Sequence, residues 1–234
     1  MLEFEDSKLY QLLRYAKHGI FVWIGTGQHG KTVGVNVFAN HPLFADRQIV
    51  LINYPPEFVD DNYPSNYRAE YWPDSIDDVV DILRPSRDFV IIDDAAWLVG
   101  SRDSGTRENK DIQKLMTIAS HHELFVAVTI QNTSMMDISM FQSQDVYMMH
   151  KHMDPIALEF ERPMTKTRQI VANVMLQDYR YKYPKIHPKA FTYCSTTWEM
   201  LQMPMPDWWT SKHSKPYYGR IPGRRSSSAQ ECDA

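Results

Sequence analysis

The stretch "GTGQHGKT", Gly25 to Thr32, stands directly behind the apolar run "IFVWI" of residues 20–24 and leads into "VGVNVFANH". Gly25, Gly30, Lys31 and Thr32 satisfy the pattern G-x-x-x-x-G-K-[ST], and each position answers a demand of phosphate binding. Glycines let the backbone curl so that successive N–H groups point at phosphate oxygens. A lysine in the seventh place reaches the β- and γ-phosphates, and a hydroxyl in the eighth faces Mg²⁺. The anion then rests on the amino end of the following helix. With glycine at about 7 per cent of residues, an accidental match in a chain of this length is an event of about one in a hundred. Its position between a strand pattern and a helix pattern narrows the reading further. Gly25, Thr26, Gly27, Gln28, His29, Gly30, Lys31 and Thr32 are therefore assigned as a nucleotide cradle. The competing reading is a glycine turn in which Lys31 only solvates a helix start.

Strand-like runs recur at "RQIVLINY" (47–54), "DFVIIDDA" (88–95), "LFVAVTIQ" (124–131) and "DVYMMHKH" (145–152), several of them apolar throughout. Continuous apolar strands suit a sheet covered on both faces. Helical spacing appears between them in "GKTVGVNVFANHP", "SIDDVVDILRP" and "NKDIQKLMTIASHH". Alternating strands and helices predict an α/β fold, a mostly parallel central sheet flanked by helices with right-handed crossovers. "DSKLYQLLRYAKHG" predicts a helix ahead of the first strand, with Asp6 or Ser7 as cap and Gly19 as stop. Residues 53–74 carry four prolines and read as a long surface excursion. "TRQIVANVML" (167–176) reads as an edge strand and "KAFTYCSTTWEMLQMP" as a short strand or docking segment. The organisation expected is a helix at 1–17, a nucleotide-binding core at 18–153, an extension at 154–210 packed on the core, and a basic flexible tail at 211–234.

The chain has 234 residues, a formal net charge of −4 and 43% hydrophobic residues. That size supports one core without staples, and the charge gives no global attraction to nucleic acid or an anionic membrane. Cys194 and Cys232 are too few for a disulfide framework. No apolar run approaches the roughly 18 residues of a membrane span. A soluble intracellular protein is expected. His121 and His122 suit a helix end, and His150 and His152 alternate along a strand. No Cys/His spacing matches a zinc site.

"DFVIIDDAA" ends a buried strand pattern in Asp93 and Asp94. Beside a phosphate cradle, the first carboxylate is placed to hold Mg²⁺ and the second to polarise the attacking water. A helix cap is the plainer use of the same pair. Roughly 60 residues separate the two motifs, which leaves room for the further strand 47–54, so their strands need not be adjacent in sequence order. "LFVAVTIQ" brings Thr129 and Gln131 toward the place of the γ-phosphate.

Taken together, "GTGQHGKT" and "FVIIDDAAWLVGSRDSGTRENKDIQKLMTIASHHELFVAVTIQNTSMMDISMFQSQDVYMMH" resemble the FtsK-HerA superfamily of P-loop ATPases, in particular its small viral genome-packaging members. The likeness spans residues 18–152. It implies a P-loop NTPase of the additional-strand type that binds ATP and Mg²⁺. By the resemblance, Lys31 and Thr32 are nucleotide ligands, Thr32 and Asp93 hold the metal, Asp94 is the catalytic acid and Gln131 the γ-phosphate sensor. These families usually carry Glu where this chain has Asp94, a side chain one methylene shorter. The resemblance also implies an oligomeric ring, with an arginine acting across subunits. Arg107 is the candidate for that finger, with Arg102 beside it; Arg84 and Arg87 precede the Asp93 strand and belong to the opposite end of the sheet.

The activity so implied is ATP hydrolysis driving translocation of double-stranded DNA into a viral capsid, with capsid or portal-vertex proteins as partners, in the host cytoplasm. Contacts to DNA have to come from local charge, and "SKHSKPYYGRIPGRR" interleaves Lys and Arg with tyrosines. A solubilising tail is its plain alternative. A nucleoside-type kinase, with Arg162 and Arg168 as lid residues, and a nucleotide-gated switch with little turnover remain as other readings. No N/T-K-x-D tetrapeptide and no LSGGQ-like signature occurs.

Overall fold

A computed structural model gives the structure of the chain and describes residues 3–52, 54–70, 87–95, 119–135, 141 and 145–214. Eight strands form one sheet: β1 Gly19–Ile24, β2 Ile49–Ile52, β3 Tyr67–Glu70, β4 Phe89–Ile92, β5 Phe125–Ile130, β6 Val146–His150, β7 Phe191–Cys194 and β8 Glu199–Gln202. Their spatial order is β3-β2-β4-β5-β1-β6-β7-β8. β3 through β6 in that order run parallel, and β7 and β8 add an antiparallel hairpin. The mostly parallel α/β sheet of a P-loop NTPase is thus present.

Every residue of β1, β2, β4 and β5 is buried. Alternate side chains serve opposite faces, as the two-residue period of a strand requires. Phe21, Trp23, Leu51, Phe89 and Ile91 pack with Leu9, Leu13 and Phe38 on one side, and Val22, Ile24, Val50, Val90 and Val128 form a second core on the other. Helices α1 Lys8–Leu13 and α2 Lys31–Ala39 supply the first layer. Ser7 caps α1 by accepting from Tyr10 N at 3.0 Å, and the Glu199 carboxylate of β8 accepts from Lys8 N and Leu9 N. Two first-turn amides are thereby satisfied by a charge from the far end of the sheet. The helix ends after Leu13, and Gly19, expected to stop it, is the first residue of β1.

Two other expectations are corrected. The stretch 53–74 holds a short helix, α3 Pro56–Asn62, and the edge strand β3, whose Tyr67 and Ala69 point inward. Its proline at the first helical turn starts a helix rather than prolonging a loop. "TRQIVANVML" lies inside the 20-residue helix α5 Pro163–Lys182, which follows the short α4 Pro155–Glu159. Strand 47–54 does lie between the two motif strands in sequence, as β2; in the sheet β2 flanks β4 on its outer side, and β5 lies between β1 and β4. The expected boundary at 153/154 does not interrupt the sheet, since β7 pairs with β6 through Met149–Cys194 and His150–Tyr193. At the far end, His213 is buried, donating from Nε2 to Asn62 O at 2.6 Å and packed on Trp208 and Trp209, so the docked chain runs past residue 210. Residues 215–234, most of the expected basic tail, lie outside the described residues. Among the described residues no helix is long and apolar enough to cross a membrane.

α5 holds the exit of β6. His150 is fully buried, with Nδ1 2.7 Å from Gln169 Oε1 and Nε2 2.8 Å from Ser195 Oγ. Gln169 Nε2 donates to Lys151 O, and Asn173 brackets Met153 by accepting from its N and donating to its O. Burial lowers the His150 pKa to about 4 from its ordinary 6.5. Between those values the unfolded chain binds a proton that the folded chain refuses, so stability falls as pH drops from 6.5 toward 4. The expected loss over that window is on the order of 3 kcal/mol. Urea unfolding at pH 7 and pH 4.5 checks it, and His150→Gln is expected to remove this share of the pH dependence.

Candidate nucleotide site

Parallel register brings one set of strand tips to one edge. Ile24 pairs with Ile130, Ile52 with Ile92, and Ile92 with Val128. The residues that follow, Gly25, Tyr54, Asp93 and Gln131, therefore emerge together at the carboxyl end of the sheet, where ligands of open α/β folds bind.

Gly25 has φ 149° and Gly30 φ 87°. A Cβ on Gly30 would stand 2.7 Å from Lys189 Cβ, so both backbone shape and close packing require glycine there. Lys31 is the first residue of α2, with its ammonium folded over the loop: Nζ donates to Gly25 O at 2.8 Å and to Thr26 O at 3.2 Å. Burial lowers its pKa, while Asp94 and Asp93 oppose that shift. Those contacts to carbonyls hold the cation where a polyphosphate would take it over.

Asp93 receives three hydroxyls. Thr32 Oγ1 and Tyr54 OH each donate to Oδ2 at 2.8 Å, and Thr129 Oγ1 donates to Oδ1 at 2.6 Å. Thr129 also accepts the backbone N–H of Asp94 at 2.8 Å, across a residue held at φ 47°. One buried hydroxyl thus fixes the rotamer of Asp93 and the unusual backbone of Asp94 together. Asp94 opens toward solvent while protein atoms crowd its inner side. Partial desolvation, first, and the Asp93 charge, second, raise its carboxyl pKa, against the pull of Lys31.

The cleft over the loop has a volume of about 580 Å³ and is shared by Lys31, Thr32, Asp94 and Gln131. Gln131 is exposed and sits at the tip of β5. The turn after it is held by the buried Glu161, which accepts from Thr133 N at 3.1 Å and also takes hydrogen bonds from the hydroxyls of Thr133 and Thr165. Of the sequence-derived site residues, Gly27, Gln28, Gly30, Lys31, Thr32, Asp94 and Gln131 line this cleft, and Asp93 lies behind Thr32. Thr26 and His29 face the other way, toward residues 152–154. Thr129, expected to point at a γ-phosphate, is buried beneath the aspartates instead. Arg107, Arg102 and Arg84 lie outside the described residues. Arg87 is at the opposite end of the sheet, paired with Glu123 at 2.7 Å.

The far wall comes from the chain's last third: His187, Lys189, Met205, Trp209 and Thr210. None of these was singled out from the sequence. Lys189 packs on Gly30, and the buried Lys151 ties its backbone down, Nζ donating to Lys189 O at 2.7 Å and Phe191 O at 2.8 Å. Tyr54 was missed as well, although its place two residues beyond a neighbouring parallel strand was a usable signal.

No family model matches the chain, and no curated protein matches it by sequence. Solved structures do match it in fold. The DNA-packaging ATPase B204 from Sulfolobus turreted icosahedral virus superposes with a TM-score of 0.50 at 13% identity, over 82% of this chain and 99% of that one. The genome-packaging NTPase B204 of Sulfolobus turreted icosahedral virus 2 gives 0.50 at 14% identity in its complex with AMPPCP, over 80% of this chain and 98% of that one. Its complex with ATP-gammaS gives 0.50 at 14% identity over 81% and 99%. The resemblance to small viral packaging ATPases first seen in the two motifs therefore extends to the fold along nearly their whole length.

Proposed function

We propose that this chain is an ATPase whose turnover drives translocation of double-stranded DNA during viral genome packaging. The observation that carries the reading is the convergence of Lys31, Thr32, Asp93, Asp94 and Gln131, from three separate elements, around one cleft. In this reading residues 25–32 cradle the phosphates, and Lys31 leaves the carbonyls of Gly25 and Thr26 for phosphate oxygens. Thr32 and Asp93 offer a hydroxyl and a carboxylate, the oxygen donors that suit Mg²⁺. Bound there, Mg²⁺ supplies charge neutralisation for the phosphates. Asp94 accepts the proton of the attacking water, and Gln131 meets the γ-phosphate. Trp209 and Met205 give the nucleotide an apolar wall.

The motor part of the reading draws on the fold likeness to the two viral B204 proteins and on surface chemistry. Ile156, Phe160, Met164, Ile170 and Val174 leave large apolar side chains exposed along α4 and α5, a surface suited to contact between copies in a ring. Arg107 acts between subunits in the same reading, DNA and capsid or portal-vertex proteins are the partners, and the host cytoplasm is the place of action. A nucleoside-kinase reading is weakened by Arg162, which would be needed in a lid and instead donates from Nε to Thr133 O at 2.9 Å.

ATP turnover measured with and without double-stranded DNA, with particle mass recorded in the same buffers, tests the proposal. A several-fold stimulation accompanied by a ring-sized mass is expected. Phosphate transfer to a nucleoside acceptor, or tight ATP binding without turnover, would overturn it in favour of a kinase or a switch.

A further inference from the structure

We propose that His29, His152 and Asp154 form a binding site for a zinc-class divalent ion, which pins the phosphate-binding loop to the exit of β6. The three residues come from two distant parts of the chain, which is why no local spacing announces them. His29 Nε2 lies 3.4 Å from Asp154 Oδ1, and His152 Nδ1 lies 3.7 Å from the same oxygen. The two imidazole centroids are 4.8 Å apart, and one donor atom from each residue falls within 4.8 Å of the others. Donors around a tetrahedral ion with bonds of about 2.1 Å stand about 3.4 Å apart, so the present spacing needs only small side-chain adjustments to close on one. Two imidazoles and a carboxylate are the nitrogen and oxygen set that zinc accepts with a water in the fourth place.

Two further observations favour a ligand over a simple hydrogen-bonded trio. His152 Nδ1 is buried without any hydrogen-bond partner, since its distance to Asp154 is too long for one. The platform is also built. Thr26 N donates to His152 O at 3.1 Å, Asp154 N donates to Thr26 Oγ1 at 3.3 Å, and Asn173 of α5 brackets Met153 between them. Such backbone anchoring holds donors in place before an ion arrives, which reduces the ordering cost of binding.

The site lies on the outer side of the loop, away from the cleft that holds Lys31 and Asp94, and it requires no nucleotide. Zn²⁺ and Co²⁺ titrated into the full chain without nucleotide, with Mg²⁺ in large excess to fill hard oxygen sites, test it. Expected are one ion per chain, visible Co²⁺ absorption of tetrahedral intensity, and a rise in melting temperature with Zn²⁺. Asp154→Asn and His152→Ala should each weaken Zn²⁺ binding at least tenfold and abolish the Co²⁺ bands. Asp154 is the safer of the two because its side chain is 55% exposed. Weak, octahedral-type Co²⁺ absorption, or binding unchanged by Asp154→Asn, would leave only histidine–aspartate contacts and overturn the proposal. Neither outcome depends on whether the protein hydrolyses ATP.

Discussion

Lys31→Ala is expected to lower ATP turnover at least about a thousandfold and to reduce nucleotide binding to the limit of detection. The reason is geometric as well as electrostatic. The ammonium is the one side-chain cation that the first turn of α2 aims into the loop, and it is already desolvated there, bonded among the described residues to the carbonyls of Gly25 and Thr26. A charge in such a site acts through few intervening waters, so its removal costs more than the loss of an exposed salt bridge. Lys31→Arg is expected to recover little, since a planar fork does not replace a point charge within this tight loop. Equilibrium binding of a fluorescent ATP analogue and single-turnover hydrolysis check the two parts separately. Unfolding temperature supplies the control: Lys31 contributes two hydrogen bonds to loop carbonyls and no apolar core, so the variant should melt within a few degrees of the native chain. Turnover that survives the substitution would mean that the cleft is not a phosphate cradle, and the functional proposal would go with it.

What could be read before the fold was in hand follows from where the information is local. Gly25 to Thr32 and the Asp93-Asp94 pair are contiguous, and the strands that carry them are apolar at every position, so motif and strand were legible together. α5 was misread because its faces invert the usual rule. It buries Thr165, Gln169, Ala172 and Leu176, while Ile170 and Val174 are 45% and 62% exposed. A helix that keeps polar groups inside, to hold the 151–153 backbone and the Glu161 carboxylate, loses the apolar stripe that identifies helices. Its β-branched residues then imitate a strand. The cleft's far wall was invisible for a different reason. Lys189 and Trp209 reach the loop only because β7 continues the sheet beside β6, a pairing that depends on long-range register rather than on local pattern. The same holds for β5, whose insertion between β1 and β4 depends on crossovers and not on the sequence distance between the motifs.

Asp94→Asn is expected to leave ATP bound while lowering turnover by about 10² to 10⁴-fold, the range over which a positioned base contributes. The structure separates the two aspartates by role. Asp93 is buried and saturated by the hydroxyls of Thr32, Tyr54 and Thr129, with no free geometry for a proton in flight. Among the described residues Asp94 is anchored through its backbone N–H to Thr129, and it lines the cleft. Its raised pKa makes it a stronger base than an ordinary aspartate, and the sign of the pH effect follows. The base works only when ionised, so the rate should fall as pH drops through that raised value, on a limb displaced upward from the usual aspartate range. Asn at position 94 should erase the limb along with the rate. Asp94→Glu tests reach: the longer arm moves the carboxylate one methylene further into the cleft, and turnover at or above the native rate is expected. Thr129→Val completes the test, because it removes the hydroxyl that orients both acids without touching either one. If Asp94→Asn hydrolyses ATP at the native rate, the base lies elsewhere, and the φ of 47° at Asp94 is then only a turn between strand and loop.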